Sequence, residues 1–438
     1  MFGGPTAGAG TDGITTPLPP ASGRPPTSFS FRPWLSADGR FVAFDSDAAS
    51  LVPGDTNRLR DVFVHDRTTG TTTRISVGVG GSEANGQSQR PTLSADGRYV
   101  AFWSEATNLV EGDTNRVSDA FVYDRESGTT RRVSVGPGGV QADGASARPV
   151  ISADGGVVAF ESAATNLIPP TVLNRPPDTN RQRDVFAHDV ATATTTRVSV
   201  TSDGRQGAGE SVRPTISGDG RFVAFQSDAA FEPGDTNGSR DVYLHDRTTG
   251  ATTRVSGAPG GDEGPGGSFS PSLSFDGRYV AFWSNSAKLV GDDSNGVPDV
   301  FVRDRESGAL ERVSVASDGT ESNGESSDPS LSPDGRWVAF WSAATTLVAA
   351  DDNDRRDVFL HDRDTHSTTL VSMASDGTQG DADSYSPNVA AGGGMVAFDS
   401  TATNLVAGDT NRGSDIFLHT ESQPAPPPSP SPSPAPSP

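Results

Sequence analysis

Seven times the chain repeats the pattern D-x-N-x-x-x-D. The copies are Asp55, Asn57, Asp61; Asp113, Asn115, Asp119; Asp178, Asn180, Asp184; Asp235, Asn237, Asp241; Asp293, Asn295, Asp299; Asp351, Asn353, Asp357; and Asp409, Asn411, Asp415. Side-chain oxygens two residues apart can converge on one hard cation, and the second aspartate adds another, so the chemistry on offer is calcium binding. Calcium takes roughly six to eight oxygens, which leaves backbone carbonyls and water to complete the set. Where an EF-hand-type loop wants a further oxygen, this chain has residues such as Leu59, Val297 and Arg355. The competing reading is structural: Asp and Asn side chains bond nearby backbone amides in Asx turns and fix a loop as it enters a strand.

A second set is asymmetric. The residue before a recurring proline is Arg32, Arg90, Arg148 and Arg213 in the first four copies, then Ser270, Asp328 and Ser386. Neighbouring arginines would form a basic arc able to hold an anionic group through bidentate contacts. The alternative pairs each arginine with an acid of a neighbouring loop. His65, His188, His245, His361 and His419 share one repeat position with Tyr123 and Arg303, as packing residues do. Trp103, Trp283 and Trp341 likewise share a position with Asp45, Glu161, Gln226 and Asp399. A serine that recurs in all seven copies (Ser30, Ser88 and so on) makes a poor nucleophile, because catalysis needs one special copy. The unrepeated acids Asp352, Asp354 and Asp383 are the candidates for a catalytic set.

These residues sit in a strict frame. The marker proline falls at Pro33, Pro91, Pro149, Pro214, Pro271, Pro329 and Pro387, in steps of 58, 58, 65, 57, 58 and 58 residues, the long step arising from an insert at 169–177. Each copy holds four strand-like runs, in the second copy 91–95, 99–104, 119–124 and 129–135. The first two are joined by an Asp-Gly hairpin signal and the last two by a turn ending in glycine. Four antiparallel strands per unit and seven units predict an all-β, seven-bladed β-propeller. It would occupy 13–422, with a disordered N-terminus at 1–12 and a Pro/Ser-rich linker tail at 423–438. The seventh copy lacks a fourth strand, and the segment 13–19 falls where a preceding one would. The N-terminal strand is therefore expected to complete the last blade and close the ring, with Pro17 and Pro19 tolerated on an edge strand.

The runs LSPDGRWVAF (331–340) and DVFVHDRTTG (61–70) resemble the TolB-like, WD-like β-propeller repeat, and the resemblance extends over nearly the whole chain. It implies the propeller fold. The seventh copy departs from the pattern, since AAGGGMVAF (390–398) has lost the Asp-Gly turn. Strand order places the short turns on one face and the long segments, such as 46–60 and 78–90, on the other. Long ordered loops mark the second face as the one that carries function.

The 438 residues carry a net charge of −22 and no cysteine. Such a surface repels nucleic acid and anionic lipid, and neither disulfides nor thiolate chemistry operate. No apolar run is long enough to span a membrane, and residues 1–13 lack the features of a signal peptide. The expected protein is a monomeric, non-enzymatic binding module, in one version calcium-stabilised, that takes a protein, peptide or glycan on its long-loop face. The alternative is a hydrolase or lyase acting at the channel mouth. An extracellular or cell-envelope setting is expected, with a cytoplasmic one left open.

Overall fold

Phe44 and Phe63 stack across adjacent strands with ring centroids 5.8 Å apart, and the pair recurs in every copy. Its equivalents run from Phe102–Phe121 at 5.9 Å to Phe398–Phe417 at 5.7 Å, with Tyr243 replacing the second ring in the fourth. Around each pair the second strand is apolar on both faces: Val42, Ala43 and Phe44 have no exposed surface. A strand that is apolar on both sides must be covered on both sides. The computed structural model shows how, over the residues it describes: 14–18, 29–169, 178–258, 265–349, 351–409, 411 and 413–421. The expected N-terminal disorder (1–12), the tail (423–438) and most of the insert lie outside them.

Seven four-stranded antiparallel sheets form the blades of one propeller. In blade one, strand A is Ser30–Leu35, B is Phe41–Ser46, C is Asp61–Asp66 and D is Thr71–Arg74. Each blade leans on the next. Phe41, Ala43, Val62 and Val64 of blade one share a buried cluster with Leu93, Val100, Phe102 and Phe121 of blade two. The ring closes as expected, because Ile14–Leu18 pairs antiparallel with Asp415–Thr420, Ile14 lying opposite Thr420 and Leu18 opposite Ile416. Among the described residues no helix is long and apolar enough to cross a membrane.

Two strand boundaries differ from expectation. Strand A of blade two is Ser88–Leu93, so it starts before the marker proline rather than at it, and strand D stops at Arg132. The early start comes with a register shift between Gln89 and Thr92, a bulge that the other six A strands share. The bulge is needed because proline has no N–H to give to the ladder.

On the short-turn face, backbone hydrogen bonds link neighbouring blades in a circle around the axis. Ala37 N donates to Ala95 O, Ala95 N to Ala153 O and Ala153 N to Gly218 O, each at 2.9 Å. Gly218 N then donates to Phe275 O (2.8 Å), Phe275 N to Pro333 O (2.9 Å) and Ala391 N to Ala37 O (3.1 Å). Pro333 has no N–H, which leaves one open joint. In the turn beside this circle Gly97 has φ +69°, and a Cβ there would stand 2.3 Å from the Phe41 ring. Both the conformation and the close approach require glycine.

Candidate functional site

The D-x-N loops are held together from inside. Asn57 Oδ1 accepts from Leu59 N at 2.8 Å, an Asx turn, and Asn57 Nδ2 donates to Asp61 Oδ2 (3.0 Å) and Ala84 O (3.2 Å). Ser76 Oγ donates to Asp61 Oδ1 at 2.5 Å. The residue that sequence reasoning missed is an arginine at the end of strand D. Arg74 Nη1 lies 3.5 Å from Asp55, 3.9 Å from Asp61 and 2.9 Å from Glu83.

Arg132, Arg197, Arg254 and Arg312 take the same position in blades two to five. Their guanidinium nitrogens lie 3.1 and 3.4 Å from Asp113 and Asp119, 3.8 Å from Asp184, 4.0 and 3.8 Å from Asp235 and Asp241, and 3.9 Å from Asp293. Register puts Leu370 there in blade six, opposite Phe359, and Pro17 in blade seven, opposite Phe417. In five loops, then, an internal cation already stands beside the acids proposed for calcium. No group of three acid, histidine or cysteine side chains converges among the described residues. Any metal would therefore rest on two carboxylates together with amide, backbone and water oxygens.

Burial is the first cause of raised aspartate pKa values in these loops. It pushes Asp184 and Asp357 up to about 6, with serine and glutamine hydrogen bonds opposing it. Asp415 is pushed up to about 7, with Asp409 adding to the burial.

The four arginines come together at the axis, by a device the sequence did not show. Arg32, Arg90, Arg148, Arg213, Ser270, Asp328 and Ser386 all occupy the bulge with φ between +45° and +53°. Such a left-handed conformation costs about 1 kcal/mol or more for a residue other than glycine. At four of the seven positions a side chain of the preceding blade captures the backbone N–H. Arg90 N donates to Asp45 Oδ1 (3.1 Å), Arg213 N to Glu161 Oε2 (2.9 Å) and Arg32 N to Asp399 Oδ1 (3.2 Å). Gln226 Oε1 does the same for Ser270 N at 2.8 Å. All seven bulge residues line a cavity of about 280 Å³ at the axis.

Three of the four arginines have a carboxylate in reach: Arg32 and Asp45 at 3.6 Å, Arg148 and Glu161 at 3.6 Å, and Arg213 and Asp328 at 3.2 Å. Arg90 makes no such pair among the described residues. Burial pulls its pKa down to about 9, helped by Arg148, Arg32 and Arg213. The cavity opens on the long-loop face. Below the arc it narrows past Trp34, Thr92 and Val150 toward the backbone circle.

The remaining candidates fall outside the cavity. His65 Nδ1 is 3.0 Å from Thr72 Oγ1, His361 Nδ1 is 2.9 Å from Thr368 Oγ1, and both rings are buried. Ser30 Oγ donates to Ser46 Oγ at 3.0 Å, so the repeated serines bond the neighbouring strand rather than a ligand. Trp341 packs into the core, and Trp283 stacks on Phe269 with ring centroids 4.3 Å apart. Asp352, Asp354 and Asp383 are not among the residues that line the axial cavity.

No family model and no curated protein matches the sequence. Solved structures match the fold. An oligogalacturonate lyase in complex with manganese superposes with a TM-score of 0.54 at 13% identity, covering 91% of this chain and 92% of that one. The Pyrococcus horikoshii acylaminoacyl peptidase superposes with a TM-score of 0.53 at 10% identity, over 90% of this chain but 52% of the peptidase. A putative TolB from Agrobacterium tumefaciens is similar over 65% of this chain and 80% of its own, at 17% identity and a TM-score of 0.40. The chain is a seven-bladed β-propeller. Lyase and peptidase share that fold, so function must be argued from the site.

Proposed function

We propose that this propeller is a non-enzymatic binding module whose axial cavity takes a carboxylate-bearing group of a protein, peptide or glycan. One observation carries the reading: Arg90 presents a partly buried guanidinium with no carboxylate partner among the described residues, in a cavity that three further arginines line. A buried cation without a counter-ion is costly, and a ligand anion relieves that cost. A monomer at the cell envelope or outside the cell fits this use.

The alternative is a hydrolase or lyase at the same mouth, and the oligogalacturonate lyase gives it a precedent in fold. Such chemistry needs a base facing the cavity. The one carboxylate among the cavity-lining residues is Asp328, which already accepts from Ser270 Oγ at 2.9 Å and Arg213 Nη1 at 3.2 Å. That engagement favours binding over turnover.

The test is calorimetric titration of the full chain with oligogalacturonate, an acidic peptide and a neutral oligosaccharide, alongside an assay for product. Binding of an acidic ligand without turnover, weakened about tenfold or more in Arg90→Gln, supports the reading. Equal affinity for the neutral sugar, or product formation, rejects it.

A further inference from the structure

The seven loops are alike in sequence but not in charge balance. Blades one to five bring a guanidinium to within 3.1–4.0 Å of a loop acid. Several acid oxygens there lack a hydrogen bond, but Asp113 Oδ1, Asp241 Oδ2 and Asp293 Oδ1 still face arginine at 3.1, 3.8 and 3.9 Å. Blades six and seven differ. Asp351 Oδ2 and Asp415 Oδ1 are buried without a hydrogen-bond partner, and no arginine, lysine or histidine pairs with either residue among the described residues. The two aspartates are 7% and 3% exposed.

Sequence explains the difference. Leu370 and Pro17 replace the strand-D arginine. In blade six Gln379 Nε2 donates to Asp351 Oδ1 (2.8 Å) and Asp357 Oδ2 (3.0 Å), an uncharged substitute that leaves two carboxylates unneutralised. In blade seven Asn411 Nδ2 donates to Asp415 Oδ2 at 2.8 Å, and Asn411 N to Asp409 Oδ1 at 3.3 Å. The pairs have the hard oxygen donors and the charge that calcium selects, with the internal cation removed.

We propose that Asp351 with Asp357, and Asp409 with Asp415, each bind a calcium-type divalent cation, the metal standing where the other five blades place a guanidinium. The five arginine-filled loops do not bind it. Because blade seven is completed by the N-terminal strand, its cation acts on the seam that closes the ring. This site is separate from the axial cavity and does not depend on its ligand.

The experiment uses the full chain, stripped with chelator and titrated with calcium chloride by calorimetry, with thermal melts in parallel. One ion per pair is expected, saturating by about 10 mM, with a rise in Tm that chelator reverses. Leu370→Arg restores the residue of the other blades and should abolish the blade-six site while leaving the calcium-free protein folded. Asp415→Asn should abolish the other. No calcium-dependent rise in Tm, ions at all seven loops, or a count unchanged in both variants overturns the proposal. If Asp415→Asn alone leaves the ion count unchanged, the blade-seven assignment is wrong.

Discussion

Arg132 Nη1 lies 3.1 Å from Asp113 Oδ1 although the residues are on different elements of blade two, and both side chains are almost wholly buried. The contact ties the long B–C loop to the last strand of its blade. The same tie joins loop and strand in blades one, four and five.

Arg132→Leu copies blade six into blade two. Removing one partner of a buried pair strands the other charge, and the expected loss is about 3–5 kcal/mol of unfolding free energy by denaturant titration. The variant should also gain a calcium-dependent rise in Tm that the parent loop lacks.

Ring closure rests on Ile14–Leu18, with Thr15 and Leu18 each 5% exposed. Deleting residues 1–18 bares the edge of Asp415–Thr420, so the truncated chain should melt earlier and self-associate in sedimentation. Grafting 13–19 after residue 421 through a flexible linker should restore the parent Tm.

Phe102 has no exposed surface and stacks on Phe121 at 5.9 Å. Phe102→Ala is expected to cost about 3–5 kcal/mol by denaturant unfolding, because neighbouring blades hold the cavity open.

Burial lowers the pKa of His361 to about 4, and of His419 likewise. Their unfolded value is about 6.5. The unfolded chain therefore binds more protons between these limits, so each histidine contributes stability above pH 6.5 that is lost as pH falls toward 4. The advantage of the parent over His361→Gln should shrink by about 1–2 kcal/mol between pH 7 and pH 5 in paired denaturant melts. A constant difference would contradict the buried neutral ring.

Much of this architecture is legible in the chain. The fifty-eight-residue step, the Asp-Gly turns and the missing fourth strand of the last copy determine blade number, strand count and closure, because each is a local or periodic signal. What escaped reading depends on contacts between distant segments. Arg74 looks like an exposed residue of a polar edge strand, yet its partner Asp55 lies nineteen residues upstream in another loop. Asp45 shares a repeat position with tryptophans, and nothing local reveals that it captures Arg90 N of the next blade. The left-handed bulge was hidden for the same reason, since a residue before proline normally prefers extended backbone. The arginine arc was visible as composition, and only the fold shows that Arg90 is the member without a carboxylate ion pair among the described residues.

The most direct measurement is calorimetric titration of the parent chain and Arg90→Gln with an acidic oligosaccharide at low and high salt. The account predicts binding by the parent that weakens as salt rises, and loss of about tenfold or more in affinity in the variant. Indistinguishable affinities, or binding insensitive to salt, would contradict an anion held at the axial arginines.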